Sequence, residues 1–173
     1  MLVDTLESER LRIIPFSIRH ITERHISWLN DPVVVKYSKQ RHTTHNKDTC
    51  ISYLDSFVNT PNYYWAIEVK NKEPSHIGSI TAFVDYNNSV ADIGIMIGDT
   101  FEWGKGFGKE AFSIVINWML DEKKIHKVTA GTMRTNIGML KVMMSIGMKE
   151  ECCIKDYYIV DDSSVDLIKA TIS

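Results

Sequence analysis

Three alternating glycines carry the most recognisable chemistry in this sequence. They lie in Ile97-Gly98-Asp99-Thr100-Phe101-Glu102-Trp103-Gly104-Lys105-Gly106-Phe107-Gly108-Lys109-Glu110-Ala111. Glycine tolerates positive φ and close approach, so such a run can turn successive backbone N–H groups toward one point. The helix expected from Lys109 onward adds unsatisfied donors and a partial positive charge at its N-terminus. Lys105 and Lys109 bring full charges to the same place. Together these features predict a phosphate or pyrophosphate site. A plain strand-to-helix turn is the alternative, and it would need fewer glycines.

The familiar nucleotide loops do not fit. A Walker A loop ends in GK followed by Ser or Thr, whereas Gly106 follows Lys105, and the magnesium-binding hydroxyl is missing. A dinucleotide fingerprint would need a third glycine where Lys109 stands. A kinase glycine loop lies between two strands, whereas this one opens a helix. None of the six histidines has a partner at metal-ligand spacing, so no metal is expected. Cys50, Cys152 and Cys153 match neither a zinc knuckle nor a CxxC pair and read as free, buried thiols of a reducing compartment.

The elements that must hold this loop follow from apolar periodicity. Leu11 to Pro15 reads as a strand. Ile18 to Leu29 reads as a helix ended by Asn30-Asp31-Pro32, and Asn46 to Val58 as a second, capped by Asn46 or Thr44. Between them lies a polar loop, Lys39 to His45. Tyr64 to Val69, His76 to Asp85 and Val90 to Ile97 are strands, the first two separated by a turn cluster at Lys70 to Ser75. Lys109 to Glu122 is the strongest helix, with Phe112, Val115, Ile116, Met119 and Leu120 on one face. Lys127 to Met133 is a strand, Asn136 to Ile146 a helix closed by Gly147, and Lys149 to Ile172 a hairpin around Asp161 to Ser164. This order implies an α+β (mixed α/β) fold, a mostly antiparallel twisted sheet flanked by helices.

Composition bounds the partners. The 173 residues suit one domain, 1–173. With 20 Lys+Arg against 22 Asp+Glu, the net charge of −2 excludes a general nucleic-acid binder. The N-terminal MLVDTLESERLRIIPF places acids and arginines where a signal peptide needs an apolar run. The longest apolar stretches, such as Phe112 to Leu120, are too short to span a bilayer. A cytoplasmic protein with no membrane partner is expected.

The chain resembles the GCN5-related N-acetyltransferase (GNAT) superfamily, closest to its ribosomal-protein N-acetyltransferase-like branch. The resemblance rests on Trp103-Gly104-Lys105-Gly106-Phe107-Gly108 followed by Glu110-Ala111, where Trp103 replaces the family's Gln or Arg. Leu6 to Leu11 is similar to the branch's first strand, and Ala91-Asp92-Ile93-Gly94 to its AEIG strand. Asn136 to Met148 resembles its Asn-containing helix. The resemblance implies acetyl-CoA as cosubstrate. It places the CoA pyrophosphate on Gly104, Lys105, Gly106, Phe107, Gly108 and Lys109. The pantetheine arm would lie along Met96, Ile97 and Gly98, with Asn136 as a further CoA contact or a helix cap. Asp92 stands where the family often has Glu, as a base acting directly or through water, or as an exposed strand-face carboxylate. The family's usual acids are absent, since Met143 and Met139 occupy the Tyr and Ser positions. Tyr157, Tyr158 and Tyr86 remain open for that role. By the same resemblance the Tyr37 to His45 connection lines the acceptor cleft, with Arg41 and His42 as candidate substrate contacts.

The implied activity is acetyl transfer to a primary amine of a small polar acceptor. A nucleotide-linked or free amino sugar fits Trp28-Leu29-Asn30-Asp31-Pro32 and the loop after it. A protein N-terminus is the competing acceptor, and an acyl-CoA-binding module without turnover is a third reading. Oligomeric state is not readable from these residues; enzymes of this type often dimerise, so a homodimer is what the resemblance implies.

Overall fold

The structure, a computed structural model, describes residues 4–73 and 75–173. Met1–Val3, at the head of the segment read against a signal peptide, and Pro74, in the turn cluster, lie outside the described residues. Strands β1 (Leu6–Glu7), β2 (Leu11–Pro15), β3 (Tyr63–Val69), β4 (His76–Asp85) and β5 (Val90–Ile97) run successively antiparallel. They continue into β6 (Lys127–Met133), β8 (Ser163–Ile172) and β7 (Lys149–Val160), giving one sheet of order β1-β2-β3-β4-β5-β6-β8-β7. Among the described residues only the β5–β6 pair is parallel. The mixed α/β, mostly antiparallel sheet matches the architecture expected from the sequence.

Helices cover both faces, which is why β3 is buried on both. On one face α3 (Phe107–Asp121) sets Phe112, Val115, Ile116 and Met119 against Trp65, Ile67, Ile80, Ala91 and Ile93. Each such side chain contributes roughly 1.5–3 kcal/mol on burial. α4 (Ile137–Ser145) adds Met143 to this core. On the other face, α1 (Glu23–Asn30) and α2 (Lys47–Asp55) pack over Ile14, Phe16, Tyr64 and Ala66.

Local hydrogen bonding moves several boundaries. The continuous helix expected over Ile18 to Leu29 is a 3-10 turn, Ile18–His20, and then α1. The Thr22 hydroxyl oxygen accepts from the His25 N–H (3.2 Å) and starts a new helix, because a capping side chain competes with continued backbone bonding. Within the polar loop, Lys39–His42 folds into a 3-10 turn capped by Ser38. Asn46, not Thr44, caps α2, and that helix ends at Asp55, short of Val58. The cysteines correct another expectation: Cys50 is buried, but Cys153 is only partly so and Cys152 is exposed on β7. Among the described residues, no helix is long and apolar enough to cross a membrane, and no cluster of three ligating side chains could hold a metal.

Candidate active site

The site is built around the point where β5 and β6 part. Their register pairs Val90 with Lys127, Ala91 with Val128 and Asp92 with Thr129, and then stops. From there β6 continues in partnership with β8 as far as Met133, while β5 continues along β4. Ile93 to Ile97 therefore present one main-chain edge without a strand partner among the described residues. Such an edge can pair with an extended amide-bearing ligand.

At the end of that edge stands the glycine loop. Gly104 and Gly106 have φ of 75° and 84°, and Gly106 is the N-cap of α3. An L-residue would be strained in either position. α3 begins at Phe107, two residues before the Lys109 expected from periodicity, so the N–H groups of Phe107, Gly108 and Lys109 form its first turn. Lys109 is exposed and has no ion pair among the described residues. Lys105 instead reaches Glu102 (3.2 Å). Glu102 is buried and also pairs with Lys72, whose hydrogen bond holds the carboxyl below its usual range. Lys72 and Arg24 both contact Asp99, extending this charge network beneath the loop.

Two further contacts fix the loop, and neither was anticipated from the sequence. The Arg10 guanidinium donates to the Lys105 carbonyl (3.0 Å) and to Glu110 (2.7 Å), with its Cζ 4.6 Å above the Phe107 ring. Burial opposes the charge on Glu110, but hydrogen bonds from Ser8 and Arg10 outweigh it and hold the pKa below the ordinary value. The second contact is Trp103, whose Nε1–H donates to the Ile97 carbonyl (2.8 Å) and ties the loop to the strand end. Gly98 has a packing reason of its own: a Cβ there would lie 2.2 Å from the Trp28 ring. Asn136 serves as the cap of α4, its Oδ1 accepting from Met139 N–H (3.2 Å) while its Nδ2 donates to Thr132 (3.0 Å).

Strand alternation separates the two roles of β5. Ala91, Ile93, Ile95 and Ile97 pack with the α3 core, whereas Asp92, Gly94 and Met96 fall on the opposite face. Asp92 is exposed and accepts a hydrogen bond from the Thr129 hydroxyl. Gly94 and Met96 form the floor of a cleft of about 540 Å³ under α1 and α2. Its walls include His25, Leu29, Ser38, Gln40, Thr43, His45, Thr49, Cys50, Ser52, Tyr53, Ser56, Tyr64, Ser79, Thr81 and Ile95, and among the described residues no Asp, Glu, Lys or Arg lines it.

A second cleft of about 410 Å³ shares Leu29, Gln40 and Thr43 with the first and adds Lys36, Arg41 and Asp161. Arg41 lies there, donating to the Ser38 carbonyl (2.8 Å) and the Ile159 carbonyl (3.4 Å) and facing the Tyr158 ring at 5.9 Å. His42 is exposed and lines neither cleft. The tip of the β7–β8 hairpin thus reaches the Lys39–His42 turn. Of the three tyrosines left open by the sequence, Tyr86 bonds the Tyr63 hydroxyl (2.7 Å), and Tyr157 is exposed. Tyr158 is half-buried; burial, Tyr157 and the Asp92 carboxylate push its phenol up, against the lowering effect of Arg41.

Comparison with known proteins bears on the fold and the family. The acetyltransferase (GNAT) domain model matches residues 10–149. An uncharacterized protein of Methanocaldococcus jannaschii is 28% identical over 140 residues, 77% of this chain. The match spans only 28% of that protein's length. The ribosomal-protein-S5-alanine acetyltransferase of Vibrio fischeri superposes with a TM-score of 0.79 at 18% identity, covering 98% of this chain and 96% of the other. The microcin C7 self-immunity acetyltransferase, solved with acetyl-CoA and AMP, gives 0.81 at 16% identity over 95% and 93%. These structural likenesses establish the fold, and the domain match establishes the family: the chain belongs to the acetyltransferase (GNAT) family.

Proposed function

We propose that this chain acetylates the primary amine of a small polar acceptor, an amino sugar in free or nucleotide-linked form. The observation that carries the reading is the cleft beside Gly94 and Met96, where hydroxyls, the Gln40 amide and two imidazoles share the lining with Leu29, Cys50 and Ile95, and no charged side chain among the described residues takes part. A polyamine would leave its cationic chain without carboxylates there, at a desolvation cost that nothing repays. A sugar presents hydroxyls that such walls can pair. The adjoining cleft, with Lys36 and Arg41 near Asp161, suits the phosphate of a nucleotide-linked acceptor. The competing acceptor is a protein N-terminus, which the branch resemblance supports.

In this mechanism the Gly104–Lys109 loop and Lys109 hold the CoA pyrophosphate. The unpartnered edge of β5 pairs with the pantetheine amides. A backbone N–H near Ile97 polarises the thioester carbonyl. The acceptor amine, with a pKa of about 8–10, is mostly charged at neutral pH and must lose a proton before it attacks. Asp92, oriented by Thr129 on the strand face that Gly94 and Met96 continue and just outside the cleft's lining, takes that proton directly or through water. The new C–N bond forms as the C–S bond breaks, Tyr158 donates its phenolic proton to the departing thiolate, and the second proton of the acylated nitrogen returns through water to restore the phenol. Its raised pKa keeps that proton in place until then.

We take residues 1–173 as one acetyltransferase domain acting in the cytoplasm. The outer edge of β7, with Ile154, Tyr157 and Ile159 exposed, is the surface on which the expected homodimer would pair. A CoA-release assay with amino sugars, polyamines and peptides tests the acceptor. Turnover on amino sugars is the expected result, and turnover on peptides alone would refute the sugar reading. Calorimetric binding of acetyl-CoA with no turnover on any amine would leave the binding-module reading in its place.

A further inference from the structure

Two histidines in the uncharged cleft carry nitrogen atoms that the fold leaves unused. His25 on α1 is 2% exposed, and its Nδ1 is shielded with no hydrogen-bond partner. His45, just before α2, has a shielded Nε2 in the same condition. Both residues line the same cleft. Native interiors rarely leave such atoms unpaired, because each forfeits its bonds to water. Asn30 grips His45 only by its main chain, with bonds of 2.8 Å to the N–H and 2.9 Å from the amide to the carbonyl.

We propose that His25 Nδ1 and His45 Nε2 form a specificity subsite for an uncharged hydroxyl of the acceptor. A neutral imidazole offers one donor and one acceptor, so a pair of them can present one of each to a group that both donates and accepts. A hydroxyl meets that requirement, and the neutral amine, which also would, is needed at the thioester. An ammonium only donates, and a carboxylate only accepts. Burial first, then the neighbouring His20 and His45, lower the His25 pKa to about 4, so the ring is neutral at physiological pH. The His76 ring stacks on it at 5.7 Å and is itself held neutral by burial. This subsite rests on the acetyl-transfer reading and narrows its acceptor to hydroxyl-bearing amines.

The test uses two pairs of amines that differ in their hydroxyls, glucosamine against cyclohexylamine and serinamide against alaninamide. The first represents sugar acceptors and the second peptide N-termini. The wild type should prefer the hydroxylated member of at least one pair by about tenfold or more in kcat/KM. His25→Phe and His45→Phe should each reduce that preference to less than about threefold, through the KM of the amine, with the KM of acetyl-CoA unmoved. Absence of the preference in the wild type, or its survival in both variants, overturns the subsite. A wild type that binds acetyl-CoA but acetylates none of the four overturns the transfer reading instead. In that case 15N-histidine spectra of the full chain decide the subsite. Movement of the His25 and His45 signals with the hydroxylated member alone supports it, and no movement overturns it.

Discussion

Replacing Gly106 isolates what the glycine loop contributes. Its φ of 84° costs an L-residue about 1–2 kcal/mol. Space is not the obstacle, since the nearest neighbour of an added Cβ is Arg10 Nη2 at an ordinary 3.5 Å. Strain in the backbone is therefore nearly the whole effect in Gly106→Ala, and Gly106→Val should cost more because β-branched residues tolerate this region least. If the loop relaxes to escape the strain, its N–H groups leave the phosphate, and the penalty appears as about a 5- to 30-fold rise in the Kd for acetyl-CoA. If the loop holds, the same free energy appears as a fall in Tm of roughly 2–8 °C. Titration calorimetry and thermal melts on one preparation read both. Gly108→Ala is the stability control: position 108 is helical, and its Cβ would lie 3.6 Å from Ile97 Cγ1, so its Tm should not fall. Wild-type affinity together with wild-type Tm in Gly106→Val would refute the argument that positive φ shapes a phosphate loop.

Two further outcomes follow from the site and its surroundings. Asp92→Asn should lower kcat by about 10²- to 10⁴-fold, the usual contribution of a general base, and a rate unchanged at every pH would remove Asp92 from that role. Acid should destabilise the fold through its buried histidines: His20 and His25 are lowered to about 4 and His76 to about 3, all by burial first. Since the unfolded chain binds these protons near pH 6.5, the stability they permit is complete above that pH and is lost as pH falls toward 4. For His25 alone the loss is at most about 2 kcal/mol between pH 7.5 and 5, or roughly 4–8 °C in Tm. A melting temperature constant over that range would contradict the neutral, buried state of the cluster.

What the sequence determined by itself is what depends on neighbours along the chain. The alternation of β5, the α3 stripe and the Gly104–Gly106 turn are local patterns, found where periodicity and glycine placement put them, although the helix takes in Phe107 and Gly108 as well. Membership of the acetyltransferase family was also legible, because that loop and the strand before it are continuous. Only the tertiary structure decided which distant groups meet. Arg10 clamps Glu110 and the Lys105 carbonyl across about a hundred residues, and no spacing rule could pair them. Trp103 reads as a bare departure from a motif until its indole is seen on the Ile97 carbonyl. His45, three residues past the 3-10 turn, faces the cleft while His42 faces solvent, a choice made by Asn30 gripping the chain from α1. Tyr158 is distinguished from Tyr86 and Tyr157 by the approach of the β7–β8 hairpin to Arg41. The physical reason is common to all four. A backbone pattern sets which face a side chain takes, but its partner is set by where the sheet brings other elements, and that depends on the packing of the whole chain.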